Sequence, residues 1–226
     1  MPVINGVDCD HYPGDDTMAL LRQKGQFRVT CLYLAHAPGS QDKSWIEKRD
    51  FLAANGWGFI PTYVGAQENA DLLDAPTGRL HAGEAAALME KAGFAASSIV
   101  YLDMEAGDIP AGGYADYVTN WIAALPASGF TPGVYCSHLV ASWALKLTKF
   151  VWSFHIPQDS EGITYDPANL PPSAIDANCV ATQYRQNIKL NGIPISAAID
   201  SGGFDLNLCA VPDPSNLAVV QHTLAG

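Results

Sequence analysis

Asp103 and Glu105 stand one residue apart at the end of the apolar run Ser98-Ile-Val-Tyr-Leu-Asp-Met-Glu105. In a β-strand, residues i and i+2 project from one face, roughly 6.6 Å apart along it. The two carboxylates would then point the same way. At the C-terminal end of a strand in a β/α barrel they would stand where such barrels keep their active sites. Two acids held side by side push each other's pKa apart, so one stays ionised while the other keeps its proton near neutrality. That is the equipment of a glycosidase. The plainer reading is a salt-bridged or solvated Asp and Glu in a loop, and the rest of the chain decides between the two.

Further acids close other apolar runs. Gly6-Val-Asp8-Cys-Asp10 puts Asp8 and Asp10 on one face, and Phe204-Asp-Leu-Asn207 does the same for Asp205 and Asn207. If these runs are strands one, four and eight of a barrel, Asp8, Asp103, Glu105 and Asp205 meet at one end. With no basic neighbours in sequence, at least one of them should have the raised pKa that a general acid needs. Tyr33, Tyr63, Tyr135 and Trp152 end strands two, three, five and six, where aromatic faces can stack on sugar rings or simply pack the barrel. Gln183 and Tyr184 on strand seven can hydrogen-bond a sugar or fill the interior.

The elements that would position these groups alternate from the start. Strands are predicted at residues 3–8, 27–34, 58–64, 98–105 and 132–137, with helices at 17–25, 44–55, 81–92, 113–125 and 138–147. This β-α alternation signals a parallel sheet. After a sixth strand at 150–156 the rhythm breaks. Residues 157–178 are rich in Pro, Asp and Ser and carry no helical period. A seventh strand at 180–186, a hairpin through Asn191-Gly192, an eighth strand at 204–208 and a closing helix at 214–223 complete the chain. The fold class expected is α/β, one TIM-type barrel over residues 1–226, incomplete in the sense of (β/α)5β3, with the last three strands lacking regular helices.

Composition narrows the partners. Twelve Lys and Arg against 23 Asp and Glu give a net charge of −11, which disfavours nucleic acid and anionic membranes and favours neutral or cationic ligands. Cys9, Cys31, Cys136, Cys179 and Cys209 show no C-x-x-C or zinc-like spacing. An odd count placed within the strand pattern predicts reduced, buried thiols. The six histidines form no paired metal-binding motif, and no glycine-rich nucleotide loop follows a strand, so no metal and no cofactor is expected. The first residues have no basic or long apolar stretch, and no run approaches the ~18–20 apolar residues of a membrane span. A monomer made in the cytoplasm is expected, with release by lysis or a non-classical route.

Taken in order, Gly6-Val-Asp8, Val100-Tyr-Leu-Asp-Met-Glu105, Gly133-Val-Tyr-Cys-Ser137, Thr182-Gln-Tyr184 and Phe204-Asp-Leu-Asn207 resemble family 25 glycoside hydrolases, the lysozyme-type muramidases. Arg28-Val-Thr-Cys-Leu-Tyr-Leu34 and Gly58-Phe-Ile-Pro-Thr-Tyr63 look closer to a sister group, the glycoside hydrolase-like barrel domains. The resemblance implies Glu105 as catalytic acid, Asp103 as its partner that orients the substrate's N-acetyl group, and Asp8 and Asp205 as supporting carboxylates. Asp10, Tyr33, Tyr63, Tyr135, Trp152 and Gln183 would then bind a polysaccharide, peptidoglycan first and chitin second. Two other readings keep the same residues: a glycan-binding barrel without activity, and a phosphodiesterase whose carboxylates hold Mg²⁺ or Ca²⁺. The chain departs from the muramidases at Asp8-Cys-Asp10-His-Tyr12 and in residues 157–178.

Overall fold

The computed structural model describes residues 3–35, 43–67, 72–157, 162–195 and 203–224. Nine strands are found among them: β1 (Ile4–Asp8), β2 (Val29–Tyr33), β3 (Gly58–Tyr63), β4 (Ile99–Asp103), β5 (Thr131–Ser137), β6 (Val151–Phe154), β7 (Thr164–Tyr165), β8 (Ala181–Leu190) and β9 (Phe204–Cys209). Eight of them close a barrel in the order β6-β5-β4-β3-β2-β1-β9-β8, and β8 pairs back onto β6. β7 lies outside the ring, paired in parallel with the last two residues of β8. Strands β2, β3 and β4 are buried along their whole length, as parallel strands are when side chains fill the barrel on one face and helices cover the other.

The covering helices are α1 (Asp15–Gly25), α2 (Arg49–Ala54), α3 (Ala75–Lys91), α4 (Gly112–Ala124), α5 (His138–Ala144) and α6 (Leu217–Leu224). Helix α3 starts six residues before the expected position. Asp74 caps it by accepting the Thr77 backbone N–H at 2.7 Å, and Pro76 sits in its first turn, where its missing N–H costs nothing. Gly78 lets α3 lie directly against α4, because a Cβ there would collide with the Tyr117 carbonyl oxygen. Helix α2 is shorter than expected. Trp45 and Ile46 are buried, but in a turn that precedes it.

Two expectations about the end of the chain are corrected. The eighth barrel strand is antiparallel to both neighbours, β1 and β8. A parallel return usually runs through a crossover helix, and residues 191–195, the described start of the connection from β8 to β9, carry none. Nor do Lys189 to Ile195 form a tight hairpin through Asn191-Gly192. β8 runs on to Leu190, where β7 pairs with the edge opposite β9, and β9 begins pairing only with Phe204 opposite Ile188. Residues 196–202 and, within the 157–178 stretch, residues 158–161 lie outside the described residues. The described part of that stretch carries no helix.

The reversal of β9 matters for the site. Asp8 and Asp103 are the last residues of their strands, whereas Asp205 is the second residue of its own. Because β9 runs the other way, all three reach the same end of the barrel.

Candidate active site

At that end lies a cleft of about 330 Å³, lined by Asp8, Asp10, Asp103, Glu105 and Asp205 together with Tyr33, Tyr135, Trp152 and Gln183. Nine of the ten residues to which the family resemblance gave a role are therefore brought together. The exception is Tyr63. Its hydroxyl donates to Glu84 at 2.7 Å, and its ring packs against Trp121 and His81 in the helical layer. The preceding residue, Thr62, faces the cleft instead, beside its register partner Tyr33.

Asp8 and Asp205 are direct partners across the antiparallel β1–β9 pair, so their Cβ atoms stand roughly 4.5–5.5 Å apart. Each is held by an amide, and each amide is oriented by an aromatic donor. Trp152 Nε1 donates to Asn207 Oδ1 at 2.8 Å, and Asn207 Nδ2 donates to Asp8 Oδ2 at 2.5 Å. Tyr135 Oη donates to Gln183 Oε1 and Gln183 Nε2 to Asp205 Oδ2, both at 2.8 Å. The Asn187 backbone N–H adds a 2.7 Å bond to Asp205 Oδ1. Gly6 makes the first chain possible, since a Cβ at that position would lie 3.0 Å from Asn207 Cβ and 3.2 Å from Cys209 Sγ.

Asp103 is buried beneath exposed Glu105. Its Oδ2 accepts from Gln67 Nε2 at 3.2 Å, while its Oδ1 is enclosed and takes no hydrogen bond from a protein donor. Burial is the main reason its carboxyl group is pushed well above the usual range, and repulsion from Glu105 adds to it. Asp8 is raised to about 7, first by burial and then by Glu105 and Asp10, against the pull of Asn207. Asp205 is likewise raised well above its ordinary value by burial and by Asp8, although the Asn187 N–H opposes this. Half-buried Asp10 accepts the His11 backbone N–H at 2.9 Å. Burial and the same acids hold the Cys9 and Cys31 thiols protonated, which leaves neither suited to be a nucleophile.

Several lining residues had no signal in the sequence as read: Thr62, Phe154, Ile156, Gln186 and Asn187. Asn207 was visible only as a residue sharing a face with Asp205. Tyr184, next to Gln183, is not among the described residues that line the cleft, and the Arg185 guanidinium stands 5.6 Å from its ring centre. Among the described residues, no group of three or more His, Cys, Asp or Glu side chains is arranged to hold a metal ion. What the cleft does offer is a set of close carboxyl groups in unequal surroundings, exposed Glu105 at the rim and the more enclosed Asp8, Asp103 and Asp205 below it, and unequal surroundings are what let paired carboxylates divide acid and base roles.

The barrel by itself does not name a class, since one fold hosts many functions; the sequence match does. Residues 27–201 match the Rv2525c-like, glycoside hydrolase-like domain, and the chain belongs to that family. The fold is similar to that of an uncharacterised protein from B. stearothermophilus, with a TM-score of 0.63 at 19% identity over 91% of this chain and 95% of that one. It is similar to the Tat-secreted protein Rv2525c of Mycobacterium tuberculosis, solved with HEPES, with a TM-score of 0.62 at 19% identity over 92% and 96% of the two chains. The modular autolysin LytC of Streptococcus pneumoniae, solved with a synthetic peptidoglycan ligand, gives a TM-score of 0.54 at 12% identity over 91% of this chain and 46% of that one. No curated protein matches by sequence.

Proposed function

We propose that the protein is a glycoside hydrolase that cleaves β-1,4 bonds in an N-acetylhexosamine polymer, peptidoglycan before chitin. The observation that carries this reading is the convergence of Asp8, Asp103, Glu105 and Asp205 in one cleft walled by Tyr33, Tyr135 and Trp152. Glu105, at the rim, gives its proton to the glycosidic oxygen as the bond to the anomeric carbon breaks. Asp103 holds the 2-acetamido N–H so that the acetamido oxygen attacks that carbon, the substrate-assisted exception to the usual two-carboxylate scheme. Water, deprotonated by Glu105, then opens the cyclic intermediate and restores the acid. The positive charge that develops on the sugar is met by the buried carboxylates, whose own repulsion it relieves. The likeness to LytC, solved with a peptidoglycan ligand, supports the choice of polymer.

The test is release of new reducing ends from purified peptidoglycan and from chitin, with and without excess chelator. The reading requires hydrolysis that survives the chelator. Binding of the glycan without hydrolysis would leave the site as a glycan-binding cleft. Activity restored only by a divalent metal, on a phosphodiester rather than a glycan, would make it a phosphodiesterase.

A further inference from the structure

The cleft is short of positive charge. Five carboxylate residues are among the described residues that line it, and no Lys or Arg is. Among the described residues, Asp8, Asp103 and Asp205 make no ion pair. The basic side chain nearest in sequence to the lining residues of β8, Arg185, is engaged elsewhere: its Nε reaches Tyr165 Oη at 3.2 Å and its Nη1 the Tyr184 carbonyl at 2.6 Å. Asp103, only 2% exposed, keeps one oxygen enclosed without a protein donor although it lines the cleft. Such an atom marks a place where a ligand's donor is missing.

We propose that the cleft binds a 2-amino-2-deoxy sugar whose nitrogen is a free ammonium, as in an N-deacetylated glycan, with that cation seated among Asp8, Asp103 and Asp205. The inference rests on the reading of the cleft as a sugar site and does not depend on hydrolysis. An acetamido nitrogen offers Asp103 one N–H and no charge. An ammonium at the same ring position offers three donors and a full positive charge, compact enough to stand between carboxylates, and that charge favours the ionised form of the acids, so its binding releases protons that they hold before it binds. It also separates the Asp8–Asp205 pair, which faces itself across the β1–β9 ladder. The ammonium sugar lacks the acyl oxygen that the proposed reaction uses, so it occupies the site tightly and turns over poorly. Glucosamine oligomers should therefore inhibit action on the N-acetylated polymer.

The experiment is calorimetric titration of the whole protein with β-1,4 tetramers of glucosamine and of N-acetylglucosamine, at about pH 6.5, below the range where α-amino groups lose their proton. The glucosamine tetramer should bind about tenfold tighter or more, the low end of what one opposite charge at contact does to an ionisation equilibrium. The gap should narrow as salt is added and should close in Asp8→Asn and in Asp205→Asn. Equal or tighter binding of the acetylated tetramer, no binding of the glucosamine tetramer, or a gap that survives both substitutions would overturn the proposal. So would a match of the glucosamine effect by Mg²⁺ or Ca²⁺ alone, which would make the site a metal site. A wild type that shows the preference yet hydrolyses neither polymer would leave this inference standing and overturn the proposed activity.

Discussion

Replacing Asp8 by Asn should make the protein more stable at alkaline pH while impairing the site. In the folded chain the Asp8 carboxyl is raised from an ordinary 3.8 to about 7, chiefly by burial. An unfolded Asp8 releases its proton near 3.8, whereas the folded one holds it to about 7. Over that window the folded state binds more protons, so its stability falls as pH rises. The contribution is fully present below the unfolded value and is lost once the folded group ionises. About three pKa units at 1.36 kcal/mol each give a ceiling of roughly 4 kcal/mol. Asn has nearly the same shape, can still accept from Asn207 Nδ2, and has no charge to bury. Its presence also relieves Asp205, which Asp8 repels. At about pH 8 the gain should be on the order of 2–4 kcal/mol, or a rise in Tm of about 5–10 °C for a chain of this size. At about pH 3, below both values, where both forms of Asp8 are largely protonated, the gain should be close to zero. Thermal unfolding of both proteins at the two pH values is the assay. A lower Tm for the variant at the higher pH, or an equal gain at both, would refute the account of Asp8 as a charge buried at a cost in stability.

Other substitutions separate the cleft from its surroundings. Tyr63→Phe removes only the bond to exposed Glu84, so it should cost about 0.5–1 kcal/mol in denaturant unfolding and leave glycan binding intact. Gly6→Ala would press a methyl against Asn207 and Cys209. It should cost about 1–3 kcal/mol and weaken glycan binding as well, through the Asn207–Asp8 bond. All five cysteines are free and buried, so a thiol reagent should label the native protein slowly and find five thiols once it is denatured without reductant.

The alternation of strand and helix through α5, and the acids that close β1 and β4, could be read from the chain because each is a local pattern. The direction of β9 could not, since an alternating run of side chains reads the same in either polarity. Placing Tyr63 in the cleft went wrong for a related reason. β3 is buried on both faces, so it lacks the polar alternation that would show which residues point inward. The early start of α3 was written in Asp74-Ala-Pro-Thr77, a capping residue followed by a proline, but the stronger Ala and Leu run further on masked it. The amides that hold the acids could be seen as strand residues, but their pairing with the acids had no sequence signal. Asn207 is 199 residues from Asp8 and Gln183 is 22 from Asp205, and only the closed barrel makes them neighbours.

The central claim is that Glu105 delivers the proton to the leaving sugar, and Glu105→Gln tests it most directly. The amide keeps the size of the side chain but has no acidic proton to give. General acid catalysis contributes about 10²–10⁴-fold, so the rate of reducing-end release from peptidoglycan should fall by about that factor. Binding of the same glycan, measured in parallel, should persist. Hydrolysis at the wild-type rate by Glu105→Gln would contradict the claim.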